Sequence, residues 1–267
     1  MMAENTVILE VDERGVATLT INRPEIHNAF DDLLINRLLQ ALESVEVDPK
    51  VRVAVLRSEG KSFSAGADLN WMRRMADYSE AENLADARRL AKLMERLNSL
   101  SKPTIAQVQG AAFGGGVGLV ACCDMAVAAE GAKFCLSEVR LGLIPAVISP
   151  YVIAAIGERA ARRYFLTAER FDAAEAHRLG LLHAVVPEAQ LASQVDALID
   201  ELLKGGPCSQ AAAKSLIFAV AHQPAGAAVI DDTAKRITAA RASDEGKEGL
   251  NAFLNKRAPA WISEDKS

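Results

Sequence analysis

The 267-residue chain carries 30 Lys and Arg against 35 Asp and Glu, a net charge of −5, and 50% of its residues are hydrophobic. This composition allows a large buried core and predicts a globular protein. The acidic balance argues against electrostatic binding to nucleic acid and favours small-molecule chemistry. The four cysteines lack the spacing of a zinc site or a CxxC redox motif, so we expect a reducing, cytoplasmic environment.

Two uncharged stretches, residues 103–123 and 141–157, are long enough to be considered as membrane spans. The first contains a proline and five glycines and the second two prolines, so we interpret both as buried parts of a soluble core. The N-terminal segment has acidic residues and no basic stretch followed by an apolar one, so we expect no secretory signal.

The predicted elements alternate between strands and helices over roughly the first two hundred residues. Residues 16–21 and 51–56 are short and rich in β-branched side chains, which predicts two strands. Between them, apolar residues recur at helical spacing from Phe30 to Leu42 and predict a helix. Further strands are predicted at residues 104–108 and 133–136, which together indicate an α/β body.

Beyond Pro187 the pattern becomes helical only. The predicted helices span residues 191–204, 209–221 and 230–255. Glycines at 205 and 206 followed by a proline mark the expected boundary between residues 1–204 and residues 205–267. Such a helical region packs either on a partner subunit or on its own core.

Several catalytic templates are absent from the sequence. Gly60-Lys61-Ser62 lacks the earlier glycine of a phosphate loop, and the GGGVGL run has Leu119 where a dinucleotide-binding motif requires glycine. The four histidines lack metal-ligand spacing, and no serine lies in a GxSxG motif. These observations argue against phosphate transfer from a nucleotide, hydride transfer, a metal site and a serine hydrolase.

Two turns made of small residues remain as candidates for chemistry. Residues 64–69 (SAGADL) separate a predicted strand from a helix, so backbone amides near Ala67 are open to a ligand. Residues 110–117 (GAAFGGGV) lead from a strand into a helix whose first amides carry the positive end of the helix dipole. Together the turns predict an oxyanion hole, although either alone is equally consistent with a tight connection.

The sequence resembles the crotonase (enoyl-CoA hydratase/isomerase) superfamily along nearly its whole length. The motifs that carry the resemblance are, in chain order, Asn22-Arg23-Pro24 with Asn28-Ala29, SAGADL, QGAAFGGGVGL, Ser137-Glu138 with Leu143-Ile144-Pro145, and EGLNAFLNKRAP. The resemblance implies an α/β core of ββα units in a spiral and an α-helical C-terminal trimerisation region. It also implies a homotrimer or a dimer of trimers, and an acyl-CoA thioester as substrate with no separate cofactor.

The resemblance also implies roles for individual residues. The N–H groups of Ala67 and Gly115 would hold the thioester oxygen, and Glu138 would transfer the proton. Hydratases of the family carry another glutamate just after the glycine triplet, where this chain has Gly118. The predicted substrate-binding residues are Arg23, Ala29, Ala65, Asp68, Leu69, Trp71, Gly114, Pro145 and Lys256. For Trp71 core packing, and for Lys256 an ordinary surface charge, remain alternatives.

The single glutamate leaves two reactions open. One carboxylate is typical of the family's Δ3,Δ2-enoyl-CoA isomerases, which move a proton from C2 to C4. However, GADLNWM and LGLIPAVISPYV resemble bacterial hydratases of methylglutaconyl-CoA and related branched glutaconyl-CoA thioesters, which share the glycine. We therefore favour hydration of a branched or carboxylated enoyl-CoA, with isomerisation as the alternative. RNA binding is a third hypothesis, against which the acidic composition weighs.

Overall fold

A computed structural model describes residues 6–262 of the chain; residues 1–5, part of the N-terminal segment interpreted above, lie outside the described residues. The strands are β1 (Val7–Val11), β2 (Val16–Ile21), β3 (Val53–Ser58), β4 (Ser62–Ser64), β5 (Thr104–Val108), β6 (Ala111–Phe113), β7 (Met125–Ala129), β8 (Lys133–Cys135), β9 (Phe171–Asp172) and β10 (Ala184–Val186). The helices are α1 (Asp32–Val47), α2 (Leu69–Ala76), α3 (Glu80–Ser99), α4 (Gly115–Cys122), α5 (Ser149–Thr167), α6 (Ala173–Leu179), α7 (Leu191–Leu203), α8 (Pro207–Val220), α9 (Ala227–Ala242) and α10 (Asp244–Leu254).

The strands form two sheets. The larger sheet has the order β1-β2-β3-β5-β7-β10, and the smaller has the order β4-β6-β8-β9. Within the larger sheet only β1 runs antiparallel to its neighbour, while β2, β3, β5, β7 and β10 are parallel. Three times in succession the chain places one strand in the larger sheet and the next in the smaller sheet before it enters a helical segment. This repetition is the ββα pattern that the resemblance implied.

Burial explains why these segments form strands and helices. Strands β3, β5 and β7 are almost wholly buried, as expected for parallel strands covered on both faces. Helix α1 begins at the N-cap Asp31, whose side chain accepts a hydrogen bond from the Leu34 N–H at 2.8 Å. Helix α3 begins with a capping box formed by Ser79 and Glu82.

The structure differs from the sequence predictions in two of the predicted helices. Phe30 was predicted to lie in the first helix, but it precedes the N-cap Asp31 and forms a β-bridge with Ala67 instead. The predicted continuous helix over residues 230–255 is wrong, because the chain is extended at Ser243, between α9 and α10. The Ser243 side chain accepts from the Gly246 N–H at 3.0 Å, so it starts a new helix there.

The chain divides into two compact units. The first contains the residues up to Leu100 together with Thr104–Asp196, and the second contains Ser101–Pro103 and the chain from Ala197 onward. The division lies within α7, whereas the sequence placed a boundary at the two glycines after that helix. Both sheets belong to the first unit.

The second unit consists of helices held together by polar contacts at their ends. The Glu245 carboxylate accepts hydrogen bonds from the backbone N–H groups of Cys208 and Ser209, at 2.9 and 2.7 Å, and thereby satisfies the start of α8. Arg257 makes two hydrogen bonds to Glu248, at 2.6 and 2.7 Å. Nowhere in residues 6–262 does a helix combine the length and the apolar character needed to cross a bilayer.

Candidate active site

The turn that follows β4 is fixed by backbone pairing with the segment before α1. The Phe30 N–H donates to the Gly66 oxygen at 2.7 Å, and the Asp68 N–H donates to the Phe30 oxygen at 2.7 Å. The Ala65 N–H donates to the oxygen of His27 at 2.9 Å. The Ala67 N–H, which lies between these pairs, donates to no acceptor among residues 6–262 and belongs to an exposed residue. This amide is therefore open to a ligand.

The glycine triplet presents a second amide of the same kind. The Gly114 N–H donates to the Cys135 oxygen at 2.9 Å, and the Gly114 oxygen accepts from Val117 and Gly118 as α4 begins. The N–H of Gly115, the first residue of α4, has no acceptor within the described part of the chain. As a free donor at a helix N-terminus, it is suited to hold a partial negative charge.

The two turns lie against each other, and Phe30 contacts both. A Cβ placed on Gly66 would lie 3.4 Å from the Phe113 oxygen, and one placed on Gly114 would lie 4.0 Å from the Gly66 Cα. Phe30 pairs through its backbone with Ala67, while its ring would lie 3.4 Å from a Cβ on Gly115. The structure thus brings together the two predicted amide donors.

Glu138 lies beside these turns. It begins a short 3-10 helix, Glu138–Leu141, shortly after β8, and its Oε1 would lie 3.2 Å from a Cβ on Gly114. The Oε2 atom is buried and has no hydrogen-bond partner among the described residues. Burial raises the pKa of Glu138, because an ionised carboxylate loses solvation there. A buried carboxyl group with a raised pKa is suited to take up and release a proton.

Gly118 is buried against apolar side chains. A Cβ at this position would lie 2.2 Å from Ile148 Cγ2, 2.9 Å from Ile148 Cβ and 3.3 Å from Met94 Cε. Non-bonded carbon atoms pack at about 3.5–4.0 Å, so no side chain fits here without movement of Ile148. The place where family hydratases carry another glutamate is therefore filled by Ile148.

Two of the predicted substrate-binding residues, Arg23 and Asp68, bind to other groups of the protein near the first turn. The Arg23 guanidinium is engaged by Asp31, at 2.7 Å, and by the oxygen of the buried Ala29, at 3.1 Å. Asp68 caps α2 by accepting from two backbone N–H groups. These polar side chains thus hold the turn and the helix in place.

The remaining predicted residues divide by exposure. Leu69 and Ala65 are exposed, Trp71 and Pro145 are buried, and Gly114 forms the second turn. Lys256 belongs to the second unit, where it lies exposed just after α10.

Sequence reasoning missed the central role of Asn28. This residue is fully buried with φ 55°, and its Nδ2 donates to the oxygens of Glu59 and Ser62, both at 2.7 Å. Its Oδ1 accepts from the Arg23 N–H at 2.8 Å. Asn28 therefore holds the segment that carries Phe30 against β4. Neither the burial of Asn28 nor the left-handed backbone that it shares with His27 can be seen from the sequence pattern.

The comparisons with known proteins decide the family. The family model for enoyl-CoA hydratase/isomerase matches residues 12–264. The chain belongs to the enoyl-CoA hydratase/isomerase family. A solved enoyl-CoA hydratase from Shewanella pealeana is 46% identical, with a TM-score of 0.94 and with 98% of this chain and 100% of that chain covered. The fold is therefore the crotonase fold that the sequence predicted.

Two curated relatives of the family differ in their named substrates. The 2,3-dehydroadipyl-CoA hydratase of Escherichia coli is 33% identical over 248 residues, which cover 92% of this chain and 95% of that protein. The crotonyl-CoA hydratase of Syntrophomonas wolfei is 34% identical over 269 residues, which cover 98% of this chain and 100% of that protein. This enoyl-CoA hydratase/isomerase family member is thus similar to hydratases whose named acyl groups differ.

Proposed function

We propose that the protein adds water across the 2,3 double bond of a branched or carboxylated enoyl-CoA, of the methylglutaconyl-CoA type. One observation carries the proposal: two amides without acceptors, on Ala67 and Gly115, lie in adjoining turns beside the unpartnered Oε2 of Glu138. A thioester oxygen accepts from both amides, while Glu138 exchanges a proton with water and substrate. No separate cofactor takes part in the proposed reaction, because coenzyme A is part of the thioester substrate.

The chemistry follows from where charge develops. When water attacks C3, negative charge moves onto the thioester oxygen, and donors placed in advance stabilise this enolate. Removal of one donor from a comparable oxyanion hole costs about 2.7–4 kcal/mol. The Glu138 carboxylate accepts a proton from the attacking water and returns a proton to C2, which completes the addition with no net proton uptake.

The acyl group is the finer part of the proposal. The name of the E. coli relative, 2,3-dehydroadipyl-CoA hydratase, describes a carboxylated enoyl-CoA and supports a carboxylated substrate here. A branched substrate is supported by the resemblance of LGLIPAVISPYV, which contains the buried Pro145 and Ile148, to hydratases of branched glutaconyl-CoA thioesters. Because Gly118 leaves Glu138 as the sole family carboxylate, Δ3,Δ2-isomerisation is the second candidate.

The experiment offers purified protein a panel of crotonyl-CoA, 3-methylglutaconyl-CoA and a 3-enoyl-CoA. Hydration is followed by the gain of one water in mass, and double-bond migration, which leaves the mass unchanged, by the absorbance of the conjugated 2-enoyl thioester. We expect hydration of 3-methylglutaconyl-CoA with a kcat/KM well above that for crotonyl-CoA. Turnover of the 3-enoyl-CoA alone, without water addition, would establish the isomerase instead. Glu138→Gln is the control that removes the proton-transfer group while preserving its shape.

We also propose that the helical second unit mediates assembly into a homotrimer or a dimer of trimers. Large apolar side chains are exposed along its helices, in contrast to the polar surface expected of a monomer. They are Ile217, Phe218, Ile230, Ile237, Leu250, Phe253 and Leu254. Their burial against copies of the same chain would remove this apolar surface from water. Light scattering coupled to size exclusion gives the mass of the assembly.

A further inference from the structure

A pocket lined largely by arginine lies between α5 and α6. Its volume is about 630 Å³, within the range of about 300–1,000 Å³ that is usual for small-molecule sites. The lining includes none of the predicted site residues. Its charged members are four arginines and one carboxylate, namely Arg159, Arg162, Arg163, Arg178 and Glu175. The pocket is therefore a candidate site for an anion that takes no part in the proposed reaction.

Helical spacing brings these arginines together. Arg159 and Arg163 are four residues apart on α5, so they are neighbours on the surface of the helix. Arg178 lines the same pocket from the last turn of α6. Like charges at this spacing destabilise a helix. An anion bound between the arginines would remove that repulsion.

Glu175 fixes the orientation of Arg178. Its carboxylate accepts from Arg178 Nε at 2.6 Å and from Nη2 at 2.7 Å, and the Tyr164 hydroxyl donates to it at 2.9 Å. The hydrogen bond from Arg178 is the main cause that lowers the pKa of Glu175 to about 2, so this carboxylate is ionised at neutral pH. The pair uses the Nε and Nη2 edge of the guanidinium. The Nη1 group makes no hydrogen bond to the described residues, so its two N–H groups are available to a ligand.

Arg163 is held in the same way. Glu169 accepts from Arg163 Nε at 2.6 Å and from Nη2 at 3.3 Å. The guanidinium also lies over the Tyr164 ring, 5.1 Å from its centroid. Here too the Nη1 group has no acceptor within residues 6–262. Two guanidinium groups, one from each helix, are thus oriented before any ligand arrives, which lowers the entropy cost of binding.

The other two arginines leave positive charge uncompensated. Arg162 lies 3.9 Å from Glu158, and both side chains are largely exposed, so this ion pair is weak. Arg159 forms no ion pair with any residue that the structure describes. Four guanidinium groups therefore stand against the carboxylates of Glu158, Glu169 and Glu175. This local excess of positive charge lies in a chain whose net charge is −5.

The rest of the lining decides which kind of anion fits. It includes the apolar Ile156, Ala160 and Leu179, of which Ile156 is buried. Guanidinium groups bind phosphate oxygens through paired N–H donors. A flat ring can rest on apolar side chains while its charged groups reach the arginines. A nucleotide combines both features, whereas a small inorganic anion leaves the apolar part of the pocket unused.

We propose that this pocket binds a nucleoside diphosphate at a site separate from that of the acyl-CoA. The Nη1 groups of Arg163 and Arg178 donate to the two linked phosphates, and Arg159 adds positive charge. The base lies against Ile156 and Leu179. This inference does not depend on the acyl group that the enzyme uses.

The test is calorimetric titration of the full-length protein with ADP, inorganic pyrophosphate and adenosine, without divalent cations. Each titration is repeated in excess butyryl-CoA, a saturated thioester that cannot be hydrated and that blocks binding of ADP to the acyl-CoA site. We expect one ADP per chain in both conditions, weaker binding of pyrophosphate and no binding of adenosine. Arg159→Gln and Arg178→Gln should each raise the Kd for ADP at least about tenfold.

The matched control is Arg88→Gln, at an exposed arginine of α3 that forms no ion pair within the described chain. It should leave the Kd for ADP unchanged. Since Arg159 makes no ion pair either, Arg159→Gln breaks no ion pair of the described chain, and an unchanged Tm would confirm that it folds. Loss of ADP binding in butyryl-CoA, or equal weakening by Arg88→Gln, would overturn the inference. Pyrophosphate or adenosine binding as tightly as ADP would also overturn it, and so would a lower assembly mass of Arg159→Gln in light scattering, which would make this face a contact between copies of the chain.

Discussion

Gly118→Ala is expected to destabilise the fold, because Ile148 occupies the space that a side chain needs. The new Cβ would lie 2.2 Å from Ile148 Cγ2, which is more than about 1 Å inside normal carbon contact. Overpacking costs about 1–3 kcal/mol, and an overlap this large belongs at the upper end. Alanine regains about 1 kcal/mol of helix propensity in α4. The net loss of about 2 kcal/mol lowers Tm by about 4–8 °C in a chain of this size.

The assay is thermal unfolding followed by circular dichroism, with Gly131→Ala as the matched control. A Cβ on Gly131 meets no atom within 4 Å, so this variant should unfold with the wild type. The combination of Gly118→Ala with Ile148→Gly removes the two closest atoms, and the next one, Met94 Cε, lies at 3.3 Å. The double variant should therefore be more stable than the sum of the two single effects. Additive effects, or a Gly118→Ala protein as stable as Gly131→Ala, would refute this reasoning.

Four further predictions, on three variants, concern the site and the assembly. Glu138→Gln should lower kcat by about 10²–10⁴-fold, measured with a titrated ligand Kd that stays near that of the wild type. At neutral pH, Glu138→Gln should have a higher Tm than the wild type. The raised pKa of Glu138 means that the wild-type protein loses stability as pH rises above the pKa of this group in the unfolded chain, whereas glutamine does not ionise. In acid the carboxyl group is protonated, so the two Tm values should be equal. Gly115→Pro should abolish turnover in a folded protein, because proline is tolerated at the first position of α4 and removes the free N–H; full activity would exclude that donor. Phe253→Glu, at a side chain that is 81% exposed, should reduce the assembly mass measured by light scattering, and an unchanged mass would exclude this position from the interface.

The sequence predicted the apolar strands of the larger sheet well. β2 and β5 have the predicted limits. β3 begins two residues later than predicted and ends with the polar Arg57 and Ser58, which no apolar pattern marks. The smaller sheet was largely missed, because its strands have only two or three residues and show no alternation. Their pairing is decided by contacts between distant segments.

In the candidate site, too, contacts between distant segments could not be predicted from local sequence patterns. The two turns were predicted from glycines and alanines, whose role depends on local backbone geometry. The bridge between Phe30 and Ala67 joins segments that are far apart in sequence. The apolar residues after Phe30 recur at helical spacing, so the sequence predicted a helix at Phe30 instead. Tertiary packing alone revealed these residues.

The glycines of the site differ in what a side chain would do. In the two turns, a side chain on Gly66 would lie 3.4 Å from the Phe113 oxygen, and one on Gly114 would lie 3.2 Å from Glu138 Oε1. At Gly118, a side chain would instead meet the apolar Ile148, so the absence of a carboxylate there is built into the packing. Introducing a glutamate at Gly118 therefore requires a change at Ile148 as well. In the proposed hydration, Glu138 is therefore the family carboxylate that handles the proton, and we expect the rate to depend on whether the acyl chain carries a carboxyl group of its own.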